Sequence, residues 1–151
     1  MVESLNKEDK IEISEKLSSF AFEKLQEAKG CLKNQFPFSC IHQCYYACFN
    51  IIRAVLYLLG IETKNPDETY KMASLYIFMK TEEGKELIRV YSQIRDMCNY
   101  VDYDAIFCYS IGGKEELIKD ARDIYQKANY FVKTVETIRK KLLSTLENVL
   151  E

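Results

Sequence analysis

Glycine and proline are scarce, five and two in 151 residues. A β-sandwich of this length needs a turn signal every 8–12 residues or so, so the shortage excludes one and a mostly helical protein is expected. Long apolar runs are also missing. The longest, CYYACFNIIRAVLYLLG, is interrupted by Asn50 and Arg53 and falls short of the roughly 20 residues of a membrane-spanning helix. The opening MVESLNKEDK carries both signs of charge and no apolar centre, unlike a secretory signal. A cytoplasmic location without membrane association is therefore expected. An excess of positive charge is lacking too: the formal charge is −2 and the pI about 5.6, which argues against a general electrostatic binder of nucleic acid and leaves a local basic site open.

Six cysteines are present, but no Cys-x-x-Cys pair of the kind that holds zinc. In a chain read as cytoplasmic they are free thiols rather than a disulfide framework. Cys40, Cys44 and Cys48 recur every fourth residue, lining one helix face where cysteine packs as a small apolar side chain. No metal and no cofactor are expected. With 48% hydrophobic and 29% charged residues, residues 1–151 read as one globular domain able to build a core without cross-links.

Helical periodicity runs through nearly the whole chain. In residues 7–29, Ile13, Leu17, Phe20, Ala21, Leu25 and Ala28 mark an amphipathic helix, with Gly30 expected to close it. A second helix should start near Pro37–Ser39 and run to Leu59, with Gly60 as a left-handed cap. It is apolar nearly all round, so it should be the central helix. Asn65, Pro66, Asp67 and Glu68 form a helix start for a short third helix reaching about Met79. Thr81, Glu82 and Glu83 start a fourth, with a stripe of Leu87, Val90, Tyr91, Ile94 and Cys98. Leu117, Ala121, Ile124, Ala128, Phe131, Val135, Ile138, Leu142, Leu146 and Val149 then recur in steps of four and three. They define one long helix of roughly 50 Å, whose seam suits either a bundle wall or a dimer contact. The expected fold is all-α, an up-and-down bundle of four main helices plus one short helix.

The segment RDMCNYVDYD, residues 95–104, stands out where the fourth helix's apolar pattern breaks off, and the helix is expected to end within it. If it stays helical, Arg95, Asn99 and Asp102 lie within about 40° of one another on one face. Arg53, inside the central helix, calls for a carboxylate partner and a structural role. His42 is the only histidine in the chain.

Two motifs together carry a family resemblance. The second helix holds SCIHQCYYACFNIIRAVLYLLGIETK, with a Tyr-Tyr-Ala-x-Phe core, Arg-Ala-x-Leu and Gly-Ile. Further on come Arg95, then Asn99-Tyr100 and Asp102-Tyr103, and the last helix contains KANYFVKTVETI. Over roughly residues 10–145 the chain resembles small stand-alone proteins of the HEPN family, the "higher eukaryotes and prokaryotes nucleotide-binding" domains. The resemblance implies an all-helical bundle and a two-fold homodimer in which two arginine motifs face each other across a cleft. It also implies RNA or a nucleotide as partner and, for many members, metal-independent ribonuclease activity as a toxin paired with a nucleotidyltransferase antitoxin. By the same resemblance, a tyrosine near the motif, here Tyr103, is where such an antitoxin attaches AMP.

The family's ribonuclease signature is Arg-x4-6-His, and this chain departs from it: positions 100–102 are Tyr100, Val101 and Asp102. Metal-free RNA cleavage needs a base for the 2′-hydroxyl and a cation for the phosphorane charge. Arg95 suits the second task because guanidinium meets phosphate bidentately and stays charged. A phenol, normally near pKa 10, suits the first badly. Asp102 and His42 are the substitutes for the catalytic base, with Arg95, Asn99, Tyr100 and Tyr103 as the expected binding set. The leading expectation is a phosphate-binding protein with a degenerate ribonuclease motif. Active cleavage, and a helical interaction module without catalysis, are the alternatives.

Overall fold

The computed structural model describes residues 5–110 and 113–148, with the backbone alone over 103–110. Its order is α1 (Lys7–Lys33), α2 (Pro37–Leu58), α3 (Pro66–Tyr76), a 3-10 turn (Phe78–Lys80), α4 (Gly84–Ser110) and α5 (Lys114–Asn148). Among the described residues there is no strand, so the fold is the expected all-α bundle of four main helices and one short one. α2 is central and packs against α1, α3, α4 and α5. Its Cys40, Cys44, Cys48, Ile51 and Ile52 are completely buried, as cysteine's behaviour as a small hydrophobe allows.

The ends follow local chemistry. The Asn65 side chain accepts the Glu68 N–H at 2.8 Å and Pro66 opens α3. α2 closes with the Gly60 N–H on the Tyr57 carbonyl at 3.0 Å and the Ile61 N–H on that of Leu56 at 2.9 Å. Gly60 sits at φ 77°, the left-handed position of this C-cap. Gly84 starts α4 so close to the 3-10 turn that an added Cβ would lie 1.6 Å from the Phe78 carbonyl oxygen.

Three expectations need correction. Gly30 does not close α1; the helix runs to Lys33, because Cys31 and Leu32 still pack on the core. Gln35, at φ 60°, takes the left-handed position instead, its N–H on the Leu32 carbonyl at 3.1 Å and the Phe36 N–H on that of Cys31 at 2.8 Å. Gly30 lies in the last turn of α1, where an added Cβ meets nothing within 4 Å, so glycine there only costs helix stability. Gly30→Ala should therefore raise stability by about 0.5–1 kcal/mol, read as a higher urea midpoint with an unchanged slope.

The buried stripe of α1 keeps the expected Ala21, Leu25 and Ala28, with Leu17 packed against the core, but its N-terminal half turns Ser14 and Ser18 inward and leaves Phe20 exposed. Finally, α4 does not end within residues 95–104 but continues to Ser110. Ile94, Cys98 and Val101 keep its stripe on the core, and that burial outweighs the few tenths of a kcal/mol by which Asn, Asp and Tyr disfavour helix. The α5 seam is a bundle wall, buried from Leu117 to Val135, with Ile138 and Leu142 partly buried beyond it; Val149 lies outside the described residues.

Candidate functional site

Because α4 stays helical through residues 95–102, Arg95, Cys98, Asn99 and Asp102 fall along one side of it, at helical offsets of three, four and seven. Cys98 is the inward member at 6% exposure. Asn99, Tyr100 and Asp102 are exposed. α2 packs alongside α4 and delivers His42 from its second turn. There the His42 Nε2 and the Asp102 Oδ1 are in hydrogen-bonding contact, with the two side chains about one-third and one-half exposed. The two candidate bases named from sequence thus form one pair.

Arg95 is held on an aromatic shelf. Its guanidinium carbon lies 5.0 Å from the centre of the Tyr70 ring on α3, a favourable cation–π arrangement. Its Nε lies 3.6 Å from the Asp96 carboxylate. Tyr70 stacks on Tyr91 at 5.6 Å, and Tyr91 touches Tyr45 and Phe131 at 6.1 and 5.7 Å. The cation is therefore braced from beneath by rings that reach into the core, while its side chain stays 35% exposed.

The neighbouring groups are poor bases. Burial pushes the Tyr45 phenol above its ordinary value, more than the Tyr91 hydroxyl and the Arg95 guanidinium pull it down. Burial likewise raises Tyr91. The Cys98 thiol is pushed up to about 11, first by burial and then by the charge of Asp102, so at neutral pH it is a thiol rather than a nucleophilic thiolate.

The structure brings His42 and Asp102 together and places Arg95 on the Asp102 side of α4. Asn99 and Tyr100 project to solvent. The Tyr103 side chain lies outside the described residues. Arg53 is satisfied locally, donating to the Asn50 Oδ1 at 3.5 Å and lying over the Phe49 ring at 5.6 Å. Sequence reasoning missed Tyr70 as the rest for Arg95 and Cys98 as a neighbour of the His42–Asp102 pair. The four-residue step from Cys98 to Asp102 was the available signal for the second.

The bundle thus carries an arginine resting on Tyr70 of α3 and, two helical turns further along the same side of α4, a histidine–carboxylate pair shared with α2. The family model described as the HEPN domain matches residues 14–147, and the chain belongs to that family. Searches of curated proteins and of solved structures each found no match.

Proposed function

We propose that the α2–α4 face binds the phosphate of RNA or of a nucleotide through Arg95, in a homodimer that brings two such faces together. The observation that carries this reading is the placement of Arg95, charged, one-third exposed and seated on Tyr70. Holding the fork in advance reduces the ordering cost of binding, and the guanidinium edge matches phosphate oxygens bidentately. Membership of the HEPN family supports RNA or a nucleotide as the source of that phosphate.

A second reading, metal-independent cleavage of RNA, is favoured by the His42–Asp102 contact. With the Asp102 carboxylate accepting from Nε2–H, the His42 Nδ1 is left as a proton acceptor, a division of labour familiar from other His–carboxylate pairs. His42 would take the 2′-hydroxyl proton, the 2′ oxygen would attack phosphorus, and the bond to the 5′ oxygen would break, that oxygen taking a proton from water, to give a 2′,3′-cyclic phosphate and a 5′-hydroxyl. Arg95 would hold the charge that develops on the phosphoryl oxygens. The histidine thus comes from α2, whereas the family signature places it on the arginine's own helix.

One assay separates these readings: end-labelled RNA in EDTA with wild type, Arg95→Ala, His42→Ala and Asp102→Asn. Binding lost in Arg95→Ala is the expected result, and equal binding by that variant would remove the proposal. Cleavage by wild type that His42→Ala abolishes would establish the second reading. RNA bound but left intact by wild type would rule it out.

A further inference from the structure

We propose that His42, Cys98 and Asp102 form a binding site for a divalent transition-metal ion of the zinc class, with one coordination position facing solvent. The observation is the convergence of three different donors. One ligand atom from each residue, the imidazole nitrogen, the Cys98 Sγ and a carboxylate oxygen, all lie within 4.8 Å of one another. Zinc binds such donors at about 2.0–2.3 Å in a tetrahedron, which sets its ligands roughly 3.3–3.8 Å apart. The thiol therefore has to approach the other donors by about 1–1.5 Å at most, while the His42–Asp102 contact opens to admit the ion, both within the reach of side-chain rotation, since His42 and Asp102 are exposed enough to turn.

Their placement suits an ion as well as their spacing does. Cys98 and Asp102 stand one turn apart on α4, and His42 comes from α2, so the ion would join two helices that already pack together. The soft thiol lies underneath, at 6% exposure, and the harder donors stand at the rim. This nitrogen, sulfur and oxygen set selects zinc-like ions over magnesium or calcium, which prefer all-oxygen shells. Where the His42–Asp102 contact now relies on one hydrogen bond, the ion would sit between the two side chains and use the thiolate as its third ligand. Cys98 must give up its proton to do so, and the ion's own charge drives that loss. Three protein ligands leave one tetrahedral position open, as in zinc sites that exchange water for substrate. That position would open at the rim, where His42 and Asp102 meet solvent. Only the inference that it receives a phosphate oxygen rests on the function proposed above.

Chelator-stripped full-length protein, kept reduced with a phosphine and free of nucleic acid, would be titrated with Co2+ and then Zn2+. The expected result is one Co2+ per chain, with the strong visible bands of a tetrahedral ion and a near-ultraviolet thiolate charge-transfer band, both removed by Zn2+. Cys98→Ser should abolish the charge-transfer band. His42→Gln and Asp102→Asn, at the surface and compatible with the fold, should each weaken binding roughly tenfold or more, given the loss of one of three ligands. Cys31→Ser, on the far helix, should change nothing. No saturable Co2+ binding, or a charge-transfer band that survives Cys98→Ser, would overturn the proposal. Arg95→Ala provides the separation from the phosphate reading. Cobalt bound normally while RNA binding is absent from wild type and variant alike would defeat that reading and leave the metal site standing. Arg95-dependent RNA binding without cobalt binding would defeat the metal site alone.

Discussion

Arg139→Ala should destabilise the protein by about 3–5 kcal/mol, the cost of breaking a buried ion pair from one side. Arg139 is 3% exposed and Glu136, one turn before it on α5, 7%. The Arg139 Nε donates to the Glu136 Oε1 at 2.5 Å, and its Nη1 donates to the Ser14 Oγ at 3.2 Å and the Glu15 Oε1 at 3.3 Å. Ser18 donates to the other Glu136 oxygen, and the Ser14 hydroxyl donates to the Ala54 carbonyl at 2.7 Å. One guanidinium thus connects α5 to α1 and, through Ser14, to α2. Removing it leaves the Glu136 carboxylate largely buried with Ser18 as its remaining donor, a charge without its countercharge. Urea unfolding is the measurement, with the loss appearing as a lower midpoint. The double variant Arg139→Met, Glu136→Leu should recover much of it, because apolar groups of similar volume often replace a buried pair without loss. A loss below about 1 kcal/mol in Arg139→Ala would mean that the pair behaves as a surface salt bridge.

This network also shows where reading a one-dimensional pattern stops. The apolar steps of α5 were legible, and Leu117 to Val135 line the bundle as the spacing implied. Glu136 and Arg139 interrupt no apolar position in that pattern, so they pass for the solvated side of the helix. On α1 the same logic chose Ile13, Leu17 and Phe20 over Ser14 and Ser18, although the serines are the buried residues. Hydrophobicity alone assigns a serine outward, and only a partner from another helix turns it inward. The spacing of Ser14 to Ser18 and of Glu136 to Arg139 would have paired them only if α1 and α5 were known to be neighbours.

The site divides in the same way. Arg95, Asn99 and Asp102 could be placed on one side of α4 from residue offsets, which depend only on the local helix. The meeting of His42 with Asp102 spans 60 residues and depends on how α2 and α4 pack, information held in the whole core. The end of α4 was misplaced for a related reason. Polar residues at 99, 100, 102 and 104 look like a terminus, whereas Val101 at 3% exposure keeps the helix bound to the core. Caps were easier, since Asn65 and Gly60 act on backbone groups within a few residues of themselves.

Arg95→Lys should separate a shaped phosphate site from a merely cationic one. Arg95→Ala should weaken RNA binding roughly 10- to 100-fold, the equivalent of a charge-assisted hydrogen bond of about 1.5–3 kcal/mol. It should also flatten the salt dependence by about 0.7 in log–log slope for each single-strand phosphate contact removed. Lysine restores the charge but not the planar fork, and it has no flat surface to lie on the Tyr70 ring 5.0 Å below. The lysine variant should therefore recover the salt slope while keeping most of the affinity loss. Tyr70→Leu, with Arg95 intact, should fall between: the slope stays because the charge stays, and the affinity drops because the guanidinium is no longer braced. Binding isotherms at several salt concentrations give both quantities. Full recovery of affinity by lysine would show that the face attracts phosphate through net charge alone. In that case the stack from Tyr70 through Tyr91 to Phe131 would serve packing, and the orientation of Arg95 would have no part in recognition.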